Sequence, residues 1–84
     1  MNEIEWAKKA LRELKRIDRT ERVKILNAVD GLEDFSNHPK VKRLTNHDCD
    51  YRLRVGNYRV LFNHDELIMI VSIEGVKKRD ERTY

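Results

Sequence analysis

Apolar positions along the 84-residue chain change their spacing twice, and those changes divide it into elements. From Asn2 to Trp6 the pattern alternates, with Ile4 facing away from Glu3 and Glu5, which predicts a short strand. From Ala7 the spacing becomes helical. Ala7, Ala10, Leu11, Leu14 and Ile17 fall on one stripe, and Lys8, Lys9, Arg12, Glu13, Lys15 and Arg16 cover the other side. Asp18 interrupts, and Glu21 three residues later makes this resemble a capping box with Asp in place of Ser or Thr. A second helix then turns Val23, Leu26, Val29, Leu32 and, at its end, Phe35 inward, with Gly31 weakening its last turn. So short a connection predicts an antiparallel helix hairpin.

Ser36-Asn37-His38-Pro39 stops the helix, because proline disfavours helical geometry in the residue before it. Residues 40–49 read as an irregular basic linker anchored by Leu44. The period then becomes two. Tyr51, Leu53 and Val55 alternate with Arg52 and Arg54, Gly56-Asn57 suits a two-residue hairpin turn, and Tyr58, Val60 and Phe62 alternate with Arg59, Leu61 and Asn63. His64-Asp65 marks a further turn. The run from Leu67 through Ile73 suits a buried central strand, and a polar tail extends from Val76 to Tyr84. The expectation is a single α+β domain over residues 1–84: a short N-terminal strand, an antiparallel helix hairpin, then a three-stranded antiparallel meander. The helices pack on one face of a mostly antiparallel sheet of about four strands.

The hairpin register carries the main inference. With Gly56-Asn57 as the turn, Val55 sits opposite Tyr58 and Arg54 opposite Arg59. Side chains alternate between faces, so Arg52, Arg54 and Arg59 share one face while Tyr51, Leu53, Val55, Tyr58, Val60 and Phe62 take the other and pack on the helices. Like charges directly across a strand pair cost a few tenths to about 1 kcal/mol. Selection for folding alone would more readily place threonine or an opposite-charge pair there. Three arginines turned away from the helices fit a phosphate-binding surface; the alternative is a solvated sheet face with splayed arginines.

The charge distribution suits a polyanion-facing surface and equally an ordinary solvated one. Residues 1–35 hold eight Lys/Arg and eight Asp/Glu, which cancel, whereas residues 36–84 hold ten against seven and supply the whole net charge of +3. Other chemistries find little support. No segment approaches the roughly 20 apolar residues of a membrane span. The start, Met1-Asn2-Glu3, has neither a basic lead nor an apolar signal region, so a cytoplasmic protein is expected. One cysteine, Cys49, cannot form an internal disulfide; a catalytic thiol is the sharper reading of it, and an incidental thiol near a strand the favoured one. His38, His47 and His64 fall in predicted loops or turns without metal-site spacing, and no Gly-rich phosphate loop exists, so neither a metal nor another cofactor is implied. Tyr84 ends a polar tail with no core to fill, so its ring could stack on a base or its hydroxyl meet a phosphate.

Three segments together resemble the RelE/ParE toxin superfamily over the whole chain. Glu3-Ile4-Glu5-Trp6-Ala7-Lys8-Lys9-Ala10-Leu11 resembles its first strand and helix start. Tyr51-Arg52-Leu53-Arg54-Val55-Gly56-Asn57-Tyr58-Arg59-Val60, the most specific piece, resembles its central hairpin. Lys77-Lys78-Arg79-Asp80-Glu81-Arg82-Thr83-Tyr84 resembles its basic C-terminal segment with a tyrosine. The resemblance implies the toxin of a type II toxin–antitoxin pair. In its RelE branch it implies a metal-independent endoribonuclease that cuts messenger RNA at the ribosomal A site and so inhibits translation. The 2′-hydroxyl attacks the adjacent phosphate to give a 2′,3′-cyclic phosphate, and the implied partners are a cognate antitoxin, messenger RNA and the ribosome.

By that resemblance Arg52 and Arg54 match two basic strand positions, commonly lysine in the RelE branch. Arg59 matches the hairpin arginine that contacts the scissile phosphate. Lys78 or Arg79, ambiguous by one residue, matches the basic residue associated with the leaving 5′-oxygen, and Tyr84 the tyrosine near the attacking hydroxyl. Lys77 and Arg82 of the tail, with Lys42 and Arg43 of the linker, are candidates for further RNA contacts. The exchange of lysine for arginine matters because a guanidinium does not deprotonate in practice. Arg52 and Arg54 are therefore expected to act electrostatically, leaving Tyr84 as base, as orienting group or as stacking residue. The superfamily's ParE-like branch implies a different activity on the same fold, inhibition of DNA gyrase without cleavage. A non-catalytic RNA-binding module is a third possibility.

Overall fold

The computed structural model describes residues 1–78. Among these, two helices and five strands run in the order β1 (Glu3–Trp6), α1 (Lys8–Lys15), α2 (Arg19–Asp30), β2 (Val41–Arg43), β3 (Tyr51–Val55), β4 (Tyr58–Asp65) and β5 (Ile70–Lys78), with one 3₁₀ turn at Gly31–Asp34. The strands form a single sheet in the order β1-β5-β4-β3-β2. β1 pairs with β5 in parallel and the remaining pairs are antiparallel. This is the expected α+β architecture of N-terminal strand, helix hairpin and meander.

The predicted turn at Gly56-Asn57 forms, and Gly56 has φ 55°, a left-handed conformation that glycine reaches without a steric penalty. The resulting register places Val55 against Tyr58 and Arg54 against Arg59. The inward row of the hairpin, Leu53, Val55, Val60 and Phe62, meets Ala10 and Leu14 of α1, Ile25 and Val29 of α2, and Leu32 in one core. Val71, Ile73 and Val76 of β5 complete it. An aromatic group closes one end: Phe35 stands edge-on to Tyr51 and Phe62 at 5.3 and 5.4 Å, and Tyr51 stacks on Phe62.

Several local expectations are revised. The linker contains β2, whose short ladder extends the sheet beyond β3, with Val41 opposite Leu53. Along α2 the buried residues are Ile25 and Val29, continued by Leu32 in the 3₁₀ turn, while Val23 and Leu26 are 46% and 40% exposed. The helix carries apolar residues on two neighbouring faces, so periodicity leaves its rotation open and docking selects the stripe. Asp18 is the N-cap of α2 but its side chain makes no capping bond.

The apolar run at 67–73 is divided. Leu67, Ile68 and Met69 form an exposed turn, and the strand begins at Ile70. The turn falls there because β4 continues through His64 to Asp65, which pairs with Ile70. The Asp65 carboxylate then accepts the amides of Leu67 and Ile68 at 2.9 and 3.3 Å. The tail also starts later than its polarity suggests, since β5 runs on to Lys78.

Candidate nucleic-acid interface

The outer face of the sheet is built from the positions that alternate with the core row. Arg54, Arg59 and Lys77 are direct neighbours across β3, β4 and β5. One step along, Lys42, Arg52, Leu61 and Gly75 form the next row across β2 to β5. Arg52, Arg54 and Arg59 thus share one face, joined by Lys42 and Lys77. Arg54 is exposed and Arg59 half-buried, with its Nη1 shielded from solvent. Arg52 donates from Nη1 to the Lys40 carbonyl at 3.3 Å, which holds its guanidinium toward the β2 side.

Lys77 reaches this face through an irregularity. A register shift between Leu61 and Phe62 pairs Phe62 with Ile73 but Leu61 with Gly75, leaving Glu74 as the extra residue of β5. Beyond it the parity of β5 inverts. Val76 turns into the core at 5% exposure and Lys77 turns outward beside Arg59. Simple alternation from Val71 and Ile73 would have put Lys77 inward.

Glu13 of α1, which sequence reasoning assigned to a solvated helix face, meets the end of β5. Its Oε1 accepts the Val76 amide at 3.1 Å, and its Oε2 accepts the Lys77 ammonium in an ion pair. Burial raises the Glu13 carboxyl, but the hydrogen bonds from Lys77 and the Val76 amide, with the charges of Lys77 and Lys9, outweigh it. The net shift is below the usual 4.5. Gly75 leaves the room required, since a Cβ there would stand 3.3 Å from Glu13 Oε1. No local sequence signal announces a contact between residues more than 60 positions apart.

Beside the row lies a groove of about 640 Å³, floored by Leu61 and Gly75 and rimmed by Lys9, His47, Cys49 and Lys77. Burial, followed by the charges of Glu74, Asp48 and Asp50, raises the Cys49 thiol, which opposes a nucleophilic role. Two of the histidines have identifiable local tasks: His47 Nδ1 accepts the Cys49 amide at 3.0 Å and His38 Nδ1 the Lys40 amide at 3.1 Å. His64, within β4 rather than in a turn, bonds through Nε2 to Asn2 Oδ1 at 2.9 Å.

Two predicted residues stand apart from the row. Lys78 is exposed and pairs with Tyr58, one step out of phase with Lys77. Arg43 pairs with Tyr51 and lies over its ring at 5.8 Å, on the aromatic side of the sheet. Arg79, Arg82 and Tyr84 lie outside the described residues. What the assembled residues offer is a set of donors for an anionic group, two guanidiniums and one ammonium carried at paired positions of three adjacent strands. Neither guanidinium can serve as a base.

The family profile described as the ParE toxin of type II toxin–antitoxin systems, parDE, matches residues 4–79. Among curated proteins none matches the sequence. Solved structures share the fold. The toxin–antitoxin complex RelBE2 from Mycobacterium tuberculosis aligns with a TM-score of 0.78 at 20% identity, covering 93% of this chain and 98% of that one. The archaeal RelE–RelB complex from Pyrococcus horikoshii OT3 gives 0.76 at 20% identity, over 95% and 97%. The isolated E. coli RelE toxin gives 0.76 at 15% identity, over 99% and 89%.

Proposed function

Because this chain belongs to the ParE toxin family of type II toxin–antitoxin systems, we propose that it is a toxin acting as an endoribonuclease on messenger RNA, at the ribosomal A site. The observation that carries this reading is the row of Arg54, Arg59 and Lys77 on an open sheet face. A phosphodiester laid along that row meets donors on three adjacent strands, with Arg52 and Lys42 one step away for the neighbouring phosphate.

The reaction asks little covalent chemistry of the protein. The 2′-oxygen bonds to the adjacent phosphorus as its proton leaves, and the bond to the 5′-oxygen breaks as that oxygen gains a proton, leaving a 2′,3′-cyclic phosphate and a 5′-hydroxyl. Arg54 and Arg59 stabilise the extra charge on the phosphorane, and in-line positioning supplies most of the remaining acceleration. Tyr84 takes the 2′-proton or orients the hydroxyl, and of the two candidates for the leaving oxygen Arg79 is preferred, because Lys78 lies off the row. A cognate antitoxin restrains the activity with an acidic or amphipathic segment that covers the arginine face or displaces the C-terminal tail. The structural likeness to toxins solved with RelB antitoxins supports such a partner.

The family match itself favours a second reading, a gyrase inhibitor that cleaves nothing. Primer-extension mapping of messenger RNA ends after induction separates the two. The ribonuclease reading expects new ends within translated codons, absent when Arg59→Ala is induced. Growth arrest without new ends, together with loss of gyrase supercoiling in vitro, would replace it.

A further inference from the structure

We propose that Glu13 is a positioning residue of this site: by holding the Val76 amide and the Lys77 ammonium with one carboxylate, it sets Lys77 in line with Arg54 and Arg59. The inference rests on the ribonuclease reading and adds to it a residue from outside the basic strands.

Four observations converge on Glu13. The bulge at Glu74 inverts the parity of β5, so Lys77 owes its outward direction to an irregular stretch of strand. β1 ends at Trp6, opposite Ile73, so it gives no ladder to the outer edge of β5 beyond that point. Glu13 Oε1 takes up that role by accepting the Val76 amide, while Oε2 takes the Lys77 ammonium. The Glu13 side chain is 19% exposed against 39% for Lys77, so the carboxylate is the more enclosed end of the pair. Finally, Gly75 has no Cβ to obstruct the approach, the nearest atom to one being Glu13 Oε1 at 3.3 Å.

A lysine on a four-carbon stem is a poor fixed donor when alone, because its rotamer freedom must be lost on each encounter with substrate. Tied by one N–H to Glu13, the Lys77 ammonium keeps two more N–H groups for a phosphate oxygen. The ion pair largely cancels the charge of Lys77 for long-range attraction. Losing Glu13 would uncover that charge, so the cost of its loss should fall on the rate of the bound complex and not on substrate capture.

Glu13→Gln is the discriminating substitution. It is close in shape and keeps an oxygen for the Val76 amide, so the fold is retained, while the ion pair to Lys77 is lost. Single-turnover cleavage of messenger RNA on programmed ribosomes is measured for wild type, Glu13→Gln, Lys77→Ala and the double variant. Loss of positioning should lower the saturating rate of Glu13→Gln about tenfold, within the range that small misplacements cost, at a half-saturating ribosome concentration no higher than that of wild type. The double variant should cleave no more slowly than Lys77→Ala, because Glu13 acts through Lys77. A Glu13→Gln rate equal to or above wild type overturns the proposal, as does a double variant well below Lys77→Ala. Absence of cleavage by the wild-type protein would instead remove the ribonuclease reading and this inference with it.

Discussion

Arg54 and Arg59 face each other directly across β3 and β4, an arrangement that opposes folding and favours anion binding. Directly opposed like charges destabilise a strand pair by about 0.2–1 kcal/mol. Lys77 extends the row, but its charge is matched by Glu13. Arg54 is the exposed member, and its replacement removes charge without opening the core. Threonine also suits a strand. Arg54→Thr should therefore stabilise the protein by about 0.2–1 kcal/mol, which for a domain of this size raises Tm by about 1–8 °C. The same substitution should weaken growth inhibition, because the phosphate loses a charged donor. Thermal melts at low salt and at about 1 M salt, where screening acts within about 3 Å, isolate the cause. The gain should shrink at high salt. A lower Tm for Arg54→Thr would show that the arginine stem stabilises the sheet. A gain undiminished by salt would assign it to strand propensity, and in either case the argument that this face sacrifices stability for binding would fail.

Phe62 is fully buried against Phe35 and Tyr51, so Phe62→Ala should cost about 3–5 kcal/mol; a urea titration showing less than about 1 kcal/mol would mean the aromatic cluster repacks around the loss. The Glu13 carboxyl is shifted below 4.5 by its partners. Its contribution to stability is thus complete above that value and disappears as pH falls through the lower, folded-state value. Urea midpoints followed down to about pH 3 should fall more steeply in wild type than in Glu13→Gln, and parallel curves would contradict the sign. At Tyr84, a role in proton transfer predicts that Phe slows single-turnover cleavage by about a hundredfold or more. Stacking alone predicts a neutral Phe and an Ala that costs about 1–3 kcal/mol, and full activity in both would restrict the site to the sheet.

The central hairpin was legible because its information is local. A period of two, a Gly-Asn turn and an apolar face leave one register, and a slip of one residue would turn the arginines into the core. That register alone brings Arg52, Arg54 and Arg59 to one face. The helices were equally legible as helices, but the rotation of α2 was not: Ile25 rather than Val23 or Leu26 faces inward because the sheet selects between two apolar stripes. Strand β2 lacks a pattern of its own at Val41–Arg43 and exists through its ladder with β3. The position of Lys77 depended most on tertiary structure. Its direction follows from an extra residue at Glu74, and its partner comes from a helix at the other end of the chain. Alternation along a strand is set by backbone geometry and can be read from residue types. A bulge, a helix rotation and a long-range ion pair are decided by which packed arrangement fills the core and satisfies the exposed edge of β5, and that choice belongs to the whole fold.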